Sequence, residues 1–286
     1  HIAELSWRAA TVSIVQFAVV SACIGIGLAT DVREAWLPFG ALAIANIFSL
    51  GFARVLAHFS IRQRADATLR FRELTKTGVW FVLNAAPAAV WFATAAVIAA
   101  LASPEALGFA ESARVVAQPI LVFAGGLTSV LAPRAMRAAM DADFEFATNT
   151  RKVYLGSMVG AGLIYLAIAG WDWVLNPMAY IVPSAYSLGG LAAFTILANI
   201  ATAASFLQGD ELAGAGRVRI LASISWISSL VGLLGGLTAS YTGAYSRPLA
   251  VTAGAGVRYG AQAAALTPVY QEGAPTPDPG PSSTDP

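Results

Sequence analysis

Charge is what this chain has least of. Asp, Glu, Lys and Arg together make up 12% of its 286 residues, about half the share in a soluble domain, so an ordinary water-exposed surface is excluded. With 57% hydrophobic residues and a mean hydropathy of +0.66, the composition is that of an integral membrane protein. Cysteine is nearly missing as well: Cys23 is the only one, it lies in an apolar run, and an internal disulfide is excluded. The net charge of +1 excludes the broad basic field that attracts nucleic acid. Catalytic chemistry is equally thin. No G-x-S-x-G, H-E-x-x-H or C-x-x-C occurs, and His58 is the only histidine after His1. Asp172, Glu105 and Glu111 fall in or near expected loops rather than as paired acids within a span. These gaps argue against an enzyme, and no metal or cofactor is implied.

Long apolar runs are what is there. Eight segments, about 9–30, 36–57, 77–102, 113–133, 153–170, 186–207, 218–240 and 246–265, reach or approach the length of roughly 20 residues that crosses a bilayer. Backbone groups in lipid must be satisfied within their own segment, so the spans are helices. The expected fold is an all-α integral membrane protein of about eight transmembrane helices.

Basic residues orient the spans. Arg8, Arg54, Arg62, Arg64, Arg70, Arg72, Lys76, Arg134, Arg137, Arg151, Lys152, Arg217 and Arg219 fall on one side, against Arg33, Arg114 and Arg247 on the other. The positive-inside rule therefore predicts both ends of this chain in the cytoplasm. The loop 171–185, with Trp171, Trp173 and Tyr180 and no basic residue, is expected at the outer interface. Residues 58–76 form a basic cytoplasmic linker in which Arg62, Asp66, Arg70 and Glu73 share a helical face. Residues 266–286 turn to Pro, Ser and Gly and are expected to be a disordered tail. The four-residue glycine spacings Gly156/Gly160, Gly232/Gly236 and Gly256/Gly260 predict close helix packing.

Polar groups inside spans are costly and must face protein or a wet cavity. Glu111, Arg114 and Gln118 form one stripe at the start of the fourth span, suited either to an outward-opening cavity or to an interfacial Glu–Arg pair. Arg258 lies deeper, with Gln262 one turn on. Asn46, Asn84 and Asn199 sit mid-span and either bond across helices or line a hydrophilic path. Pro87 and Pro119 interrupt helical hydrogen bonding and permit kinks.

The stretch SPEALGFAESARVVAQPILVFAGGLTSVLAPRAMRA, residues 103–138, carries a P-x-x-L-G-x-[FY]-x-x-A turn followed by a span that closes on Pro-Arg. Pro104, Leu107, Gly108, Phe109, Ala113, Pro133 and Arg134 fill those places. The stretch resembles the start of the C-terminal half of the oligosaccharide and polysaccharide flippases of the multidrug/oligosaccharidyl-lipid/polysaccharide exporter (MOP) superfamily. That resemblance implies that 1–57 holds the last two helices of a first lobe and that 77–265 forms a six-helix second lobe. About four further spans would precede His1, making this a C-terminal portion of a longer protein. It also implies a bacterial inner-membrane transporter that flips a polyprenyl-diphosphate-linked oligosaccharide. Arg114 and Arg258 would contact phosphate or glycan, and Gln118, Gln262 and Asn84 would hydrogen-bond sugars. Glu111 and Asn199 complete the expected pathway. The partners would be the lipid-linked glycan, membrane lipids and polysaccharide assembly enzymes. The alternatives are a peptidoglycan lipid-precursor flippase or multidrug antiporter of the same superfamily, a non-transporting scaffold of polysaccharide assembly, and a membrane glycosyl- or acyltransferase. No Asp or Glu falls mid-span by these boundaries, which argues against the ion-coupled antiporter.

Overall fold

The computed structural model describes residues 6–30, 37–57, 78–80, 82–173, 176, 177 and 189–271. Helices are the only regular elements among these residues. The linker 58–76, most of the outer loop with Tyr180, and residues 272–286 lie outside the described residues.

The chain divides into two compact units, His1–Leu69 and Arg70–Pro286. In the first unit, α1 (Ser6–Ala29) pairs with α2 (Leu37–Ala57). Gln16 Nε2 donates to Asn46 Oδ1 at 2.7 Å, so Asn46 serves as a polar tie between helices.

The second unit contains α3 (Val90–Leu101, preceded by a 3-10 turn at Ala86–Ala89), α4 (Pro104–Met140), α5 (Phe144–Ala169), α6 (Gly189–Ala204) and α7 (Phe206–Gly214). It continues with α8 (Val218–Gly236), the single turn α9 (Ala239–Thr242) and α10 (Ser246–Gln271). Among the described residues five helical stretches are long and apolar enough to cross a membrane: Gly78–Leu101, α4, α5, Gly189–Gly214 and α8. Their outward faces are apolar, with Val122, Val130 and Ile164 all well exposed, which suits contact with lipid rather than water. The described residues are thus all-helical, with several helices of the length and apolarity of a multi-pass membrane protein.

By length alone α1 and α2, of 24 and 21 residues, also reach the span of a bilayer, and their described residues include the apolar stretches Ile14–Gly27 and Ala43–Ala53. The 26-residue α10 falls short in apolarity because Arg247, Arg258 and Gln262 dilute a sequence otherwise rich in Ala and Gly.

The start of α4 departs from expectation and matters for the site. The expected turn around Pro104–Ala113 is instead the opening of this 37-residue helix. Ser103 Oγ accepts the Ala106 amide at 3.0 Å, and Pro104 stands in the first turn, where its missing N–H costs nothing. At about 1.5 Å per residue the helix is some 55 Å long, so it overshoots the expected span 113–133 at both ends. Pro119 lies within it, and side-chain donors dock beside that break: Tyr165 Oη on the Val116 carbonyl at 2.6 Å and Asn199 Nδ2 on the Ala117 carbonyl at 2.9 Å.

The most extensive helix pairing is α8 with α10. A Cβ at Gly235 would lie 2.8 Å from the Ala250 Cα, and one at Gly254 would lie 2.7 Å from the Ser228 carbonyl oxygen. Of the expected glycine pairs, Gly232 and Gly236 do meet neighbours, the rings and methyls of Trp91 and Thr94. Gly156, Gly160, Gly256 and Gly260 have open space beyond their Cα atoms. They lie on outward faces, where small size brings no partner closer.

The far end of α10 also corrects the expected tail. Residues 266–271 are helical, and Leu266 and Val269 are buried with Leu212, Leu221 and Ile224. Tyr270 Oη donates to Glu211 Oε2 at 2.9 Å, and Arg151 Nε lies 3.1 Å from Glu211 Oε1. Glu211 is fully buried inside the Gly189–Gly214 stretch. The stretch runs past the expected end at residue 207, so it carries a buried acid near its end, three residues before Gly214.

Two stability outcomes follow from these contacts. Gly235→Leu forces apart α8 and α10 and lowers stability by about 1–3 kcal/mol or more, whereas Gly256→Leu on the open face leaves thermal melting of the purified protein unchanged. Arg151→Met strands the buried Glu211 carboxylate and costs about 3–5 kcal/mol, and Arg151→Met with Glu211→Leu restores most of that loss in the same melting assay.

Candidate functional site

A cavity of about 500 Å³ opens in the second unit, within the range of about 300–1,000 Å³ typical of ligand pockets. Ala88, Trp91, Phe92 and Ala95 form one wall, from the 3-10 turn and α3. Glu111, Arg114, Gln118 and Leu121 descend α4 on the opposite side. Thr195, Asn199 and Thr202 come from α6 and Ser228 from α8.

The remaining wall is one stripe of α10: Arg247, Val251, Gly254, Ala255 and Arg258. Their spacing of i, i+4, i+7, i+8 and i+11 keeps them on one helical face. Gly254 and Gly235 bring the α10 backbone against α8, and that close approach sets the stripe facing the cavity.

The charged groups at the lining are three arginines and one glutamate. Glu111 joins two of the arginines: Arg114 Nε lies 2.5 Å from its Oε2, and Arg247 Nη1 donates to its Oε1. Glu111 and Arg114 thus form the ion pair and, with Gln118, also line the cavity. The Arg247 side chain is only 10% exposed, against 45% for Arg114 and 34% for Glu111, so Arg247 is the fixed member and Glu111 the more accessible one. Arg258 has a different setting. Its Nε donates to Ser228 Oγ at 3.3 Å, and among the described residues no carboxylate lies within salt-bridge distance of it.

Five of the seven expected pathway residues therefore line one cavity: Glu111, Arg114, Gln118, Asn199 and Arg258. Two do not. Asn84 Oδ1 accepts the Ser225 hydroxyl at 2.6 Å, a tie between the start of the α3 segment and α8. Gln262 is buried on another part of α10, where its amide nitrogen lies close to Gly209 of α7. Gln262 shares the angular position of Val251 and Ala255 but lies one turn, about 6 Å, further along the helix axis than Arg258, where it meets α7 instead of the cavity.

Arg247 and Trp91 were missed. In the sequence Arg247 stands at the outer edge of the apolar run 246–265, where a basic residue normally snorkels into water. The aromatic Trp91 lies inside a run with no polar signal. Among the described residues no group of three or more His, Cys, Asp or Glu is placed to hold a metal ion.

The arrangement suits an anionic group: guanidinium forks converge on a largely apolar chamber, where their attraction is weakly screened. Solvent access is directly measurable. In a Cys23→Ser background, Gln118→Cys and Val251→Cys react readily with a charged, membrane-impermeant thiol reagent, while the buried Gln262→Cys reacts far more slowly by mass spectrometry.

No protein-family model, no curated protein and no solved structure matches this chain, so the functional reading rests on its own residues and geometry.

Proposed function

We propose that this protein is a membrane transporter that carries an anionic, lipid-linked glycan across the bacterial inner membrane for export of cell-surface polysaccharide. The observation that carries the reading is the arginine-lined cavity between α10 and several helices long and apolar enough to cross a membrane. An amphipathic substrate with a diphosphate head needs a cation in a low-dielectric chamber and an apolar surround for its lipid, and both are at hand. Trp91 and Phe92 offer flat faces to sugar rings, and Gln118, Asn199 and Thr202 offer polar groups beside them. The resemblance of residues 103–138 to MOP flippases points the same way and supplies the polyprenyl-diphosphate-linked oligosaccharide as the substrate, with both ends of this chain cytoplasmic. Pro119 within α4 gives a place for the helix to bend between inward- and outward-facing states.

Translocation is tested in proteoliposomes loaded with a fluorescent polyprenyl-diphosphate oligosaccharide, scored by its exposure to an impermeant quencher. Arg258→Gln lowers the rate by about ten- to a hundredfold, the worth of one charge-assisted hydrogen bond of about 1.5–3 kcal/mol. Wild-type translocation by Arg258→Gln and Arg114→Gln proteins would instead favour the scaffold reading, in which polysaccharide assembly enzymes dock on the basic linker and loops.

A further inference from the structure

Glu111 stands where a ligand's anion would be expected to bind. Its two oxygens are shared between a guanidinium from α4 and one from α10, so the Arg114–Arg247 end of the cavity is already neutralised in part by the protein itself. Arg258 carries no such counter-charge among the described residues. It lies three turns from Arg247 on the same face of α10, about 16 Å along the helix axis. The cavity thus has one masked cationic end and one open one.

An anion that bridges both guanidiniums of the masked end must displace Glu111 from between them, and the side chains differ in their freedom to yield. Arg247 is almost enclosed, whereas Glu111 is a third exposed and reaches the cavity from a long side chain. Displacement therefore moves Glu111 toward solvent and leaves both guanidiniums in place.

The exchange is selective by charge. A monoanion such as a carboxylate replaces one carboxylate with another and adds a negative charge beside the displaced Glu111, so it gains almost nothing. A phosphate or diphosphate brings two or more negative charges and several acceptor oxygens, enough to engage both arginine forks at once. We infer that Glu111 is a specificity-determining residue, an internal competitor that restricts the Arg114–Arg247 end of the cavity to multiply charged anions such as a diphosphate and rejects monoanions. The inference rests on the anion-binding cavity of the proposed function and adds to it a device that sets which anions are accepted.

The groups facing Glu111 are Arg114 on its own helix and Arg247 from α10; the cavity walls from α3, α6 and α8 present no charged side chain. Changing Glu111 therefore alters this competition without unmasking another acid.

The test is calorimetric titration of the purified full chain in nanodiscs of neutral lipid with sodium pyrophosphate and with sodium acetate at fixed ionic strength. The wild-type protein binds pyrophosphate at least about tenfold tighter than acetate. Glu111→Gln keeps an amide oxygen for Arg247 but loses the charge. In it acetate affinity rises by about tenfold and the preference for pyrophosphate narrows accordingly. Should Glu111→Gln not yield folded protein, Glu111→Asp serves in its place: its shorter side chain cannot span both arginines, and it narrows the preference by a smaller factor. An unchanged preference in the folded variant, with pyrophosphate binding lost in Arg258→Gln, overturns the role of Glu111 and leaves the anion cavity standing. Absence of binding of either anion to wild type and to every variant overturns the anion cavity itself, and the inference with it.

Discussion

One carboxylate ties together the two helices on which the cavity depends. Glu111 of α4 holds Arg247 at the first turn of α10 and Arg114 on its own helix. Arg247 is nearly enclosed, and an enclosed guanidinium without a counter-charge is strongly destabilising. The pair therefore fixes where α10 begins, and the rest of that helix follows: its small residues run against α8, and its cationic stripe faces the chamber. Shielding of a buried charge and shaping of a binding site are here the same interaction.

The other polar residues sort by the same need. Asn199 and Tyr165 spend their donors on α4 carbonyls within one turn of Pro119, which ties the α5 and α6 helices to that part of α4. Asn84 and Ser225 satisfy each other between helices. At the opposite end of α10, Glu211 gathers Arg151 and Tyr270, and the ring of Phe144 meets that of Tyr270 edge-on at 5.6 Å between centroids. Both ends of α10 are thus held by a glutamate from a neighbouring helix, one at Arg247 and one at Tyr270. The middle carries the unmasked Arg258. A helix anchored at its ends and held close along its length by Gly235 and Gly254 presents its cationic face to the cavity in a defined orientation.

Composition and apolar run length determined a great deal by themselves: a membrane protein, all helical, with polar residues in its spans that must face protein or a cavity. The physical reason is that a bilayer offers no hydrogen-bond partners, so the helical state and the placement of Glu111, Arg114, Gln118, Asn199 and Arg258 away from lipid follow from local sequence alone. Run length did less well at boundaries. Ser103 and Pro104 start α4 early, and burial of Leu266 and Val269 carries α10 late, both through contacts that hydropathy does not record.

Only the tertiary structure decided which polar residues share a space. Gln118 and Asn199 are both mid-span amides that line the cavity, yet Asn199 also ties helices; Gln262, one turn past Arg258 on α10, lies beyond the cavity against α7. Likewise the four-residue spacing is the same at Gly232/Gly236 and Gly256/Gly260, but only the first pair meets a neighbouring helix. Spacing along a helix specifies a face, and it takes the crossing of two helices to say what that face meets. The pairing of Glu111 with Arg247, 136 residues away along the chain, has no local signature at all, because it exists only once packing on α8 and α6 brings the start of α10 within reach of α4.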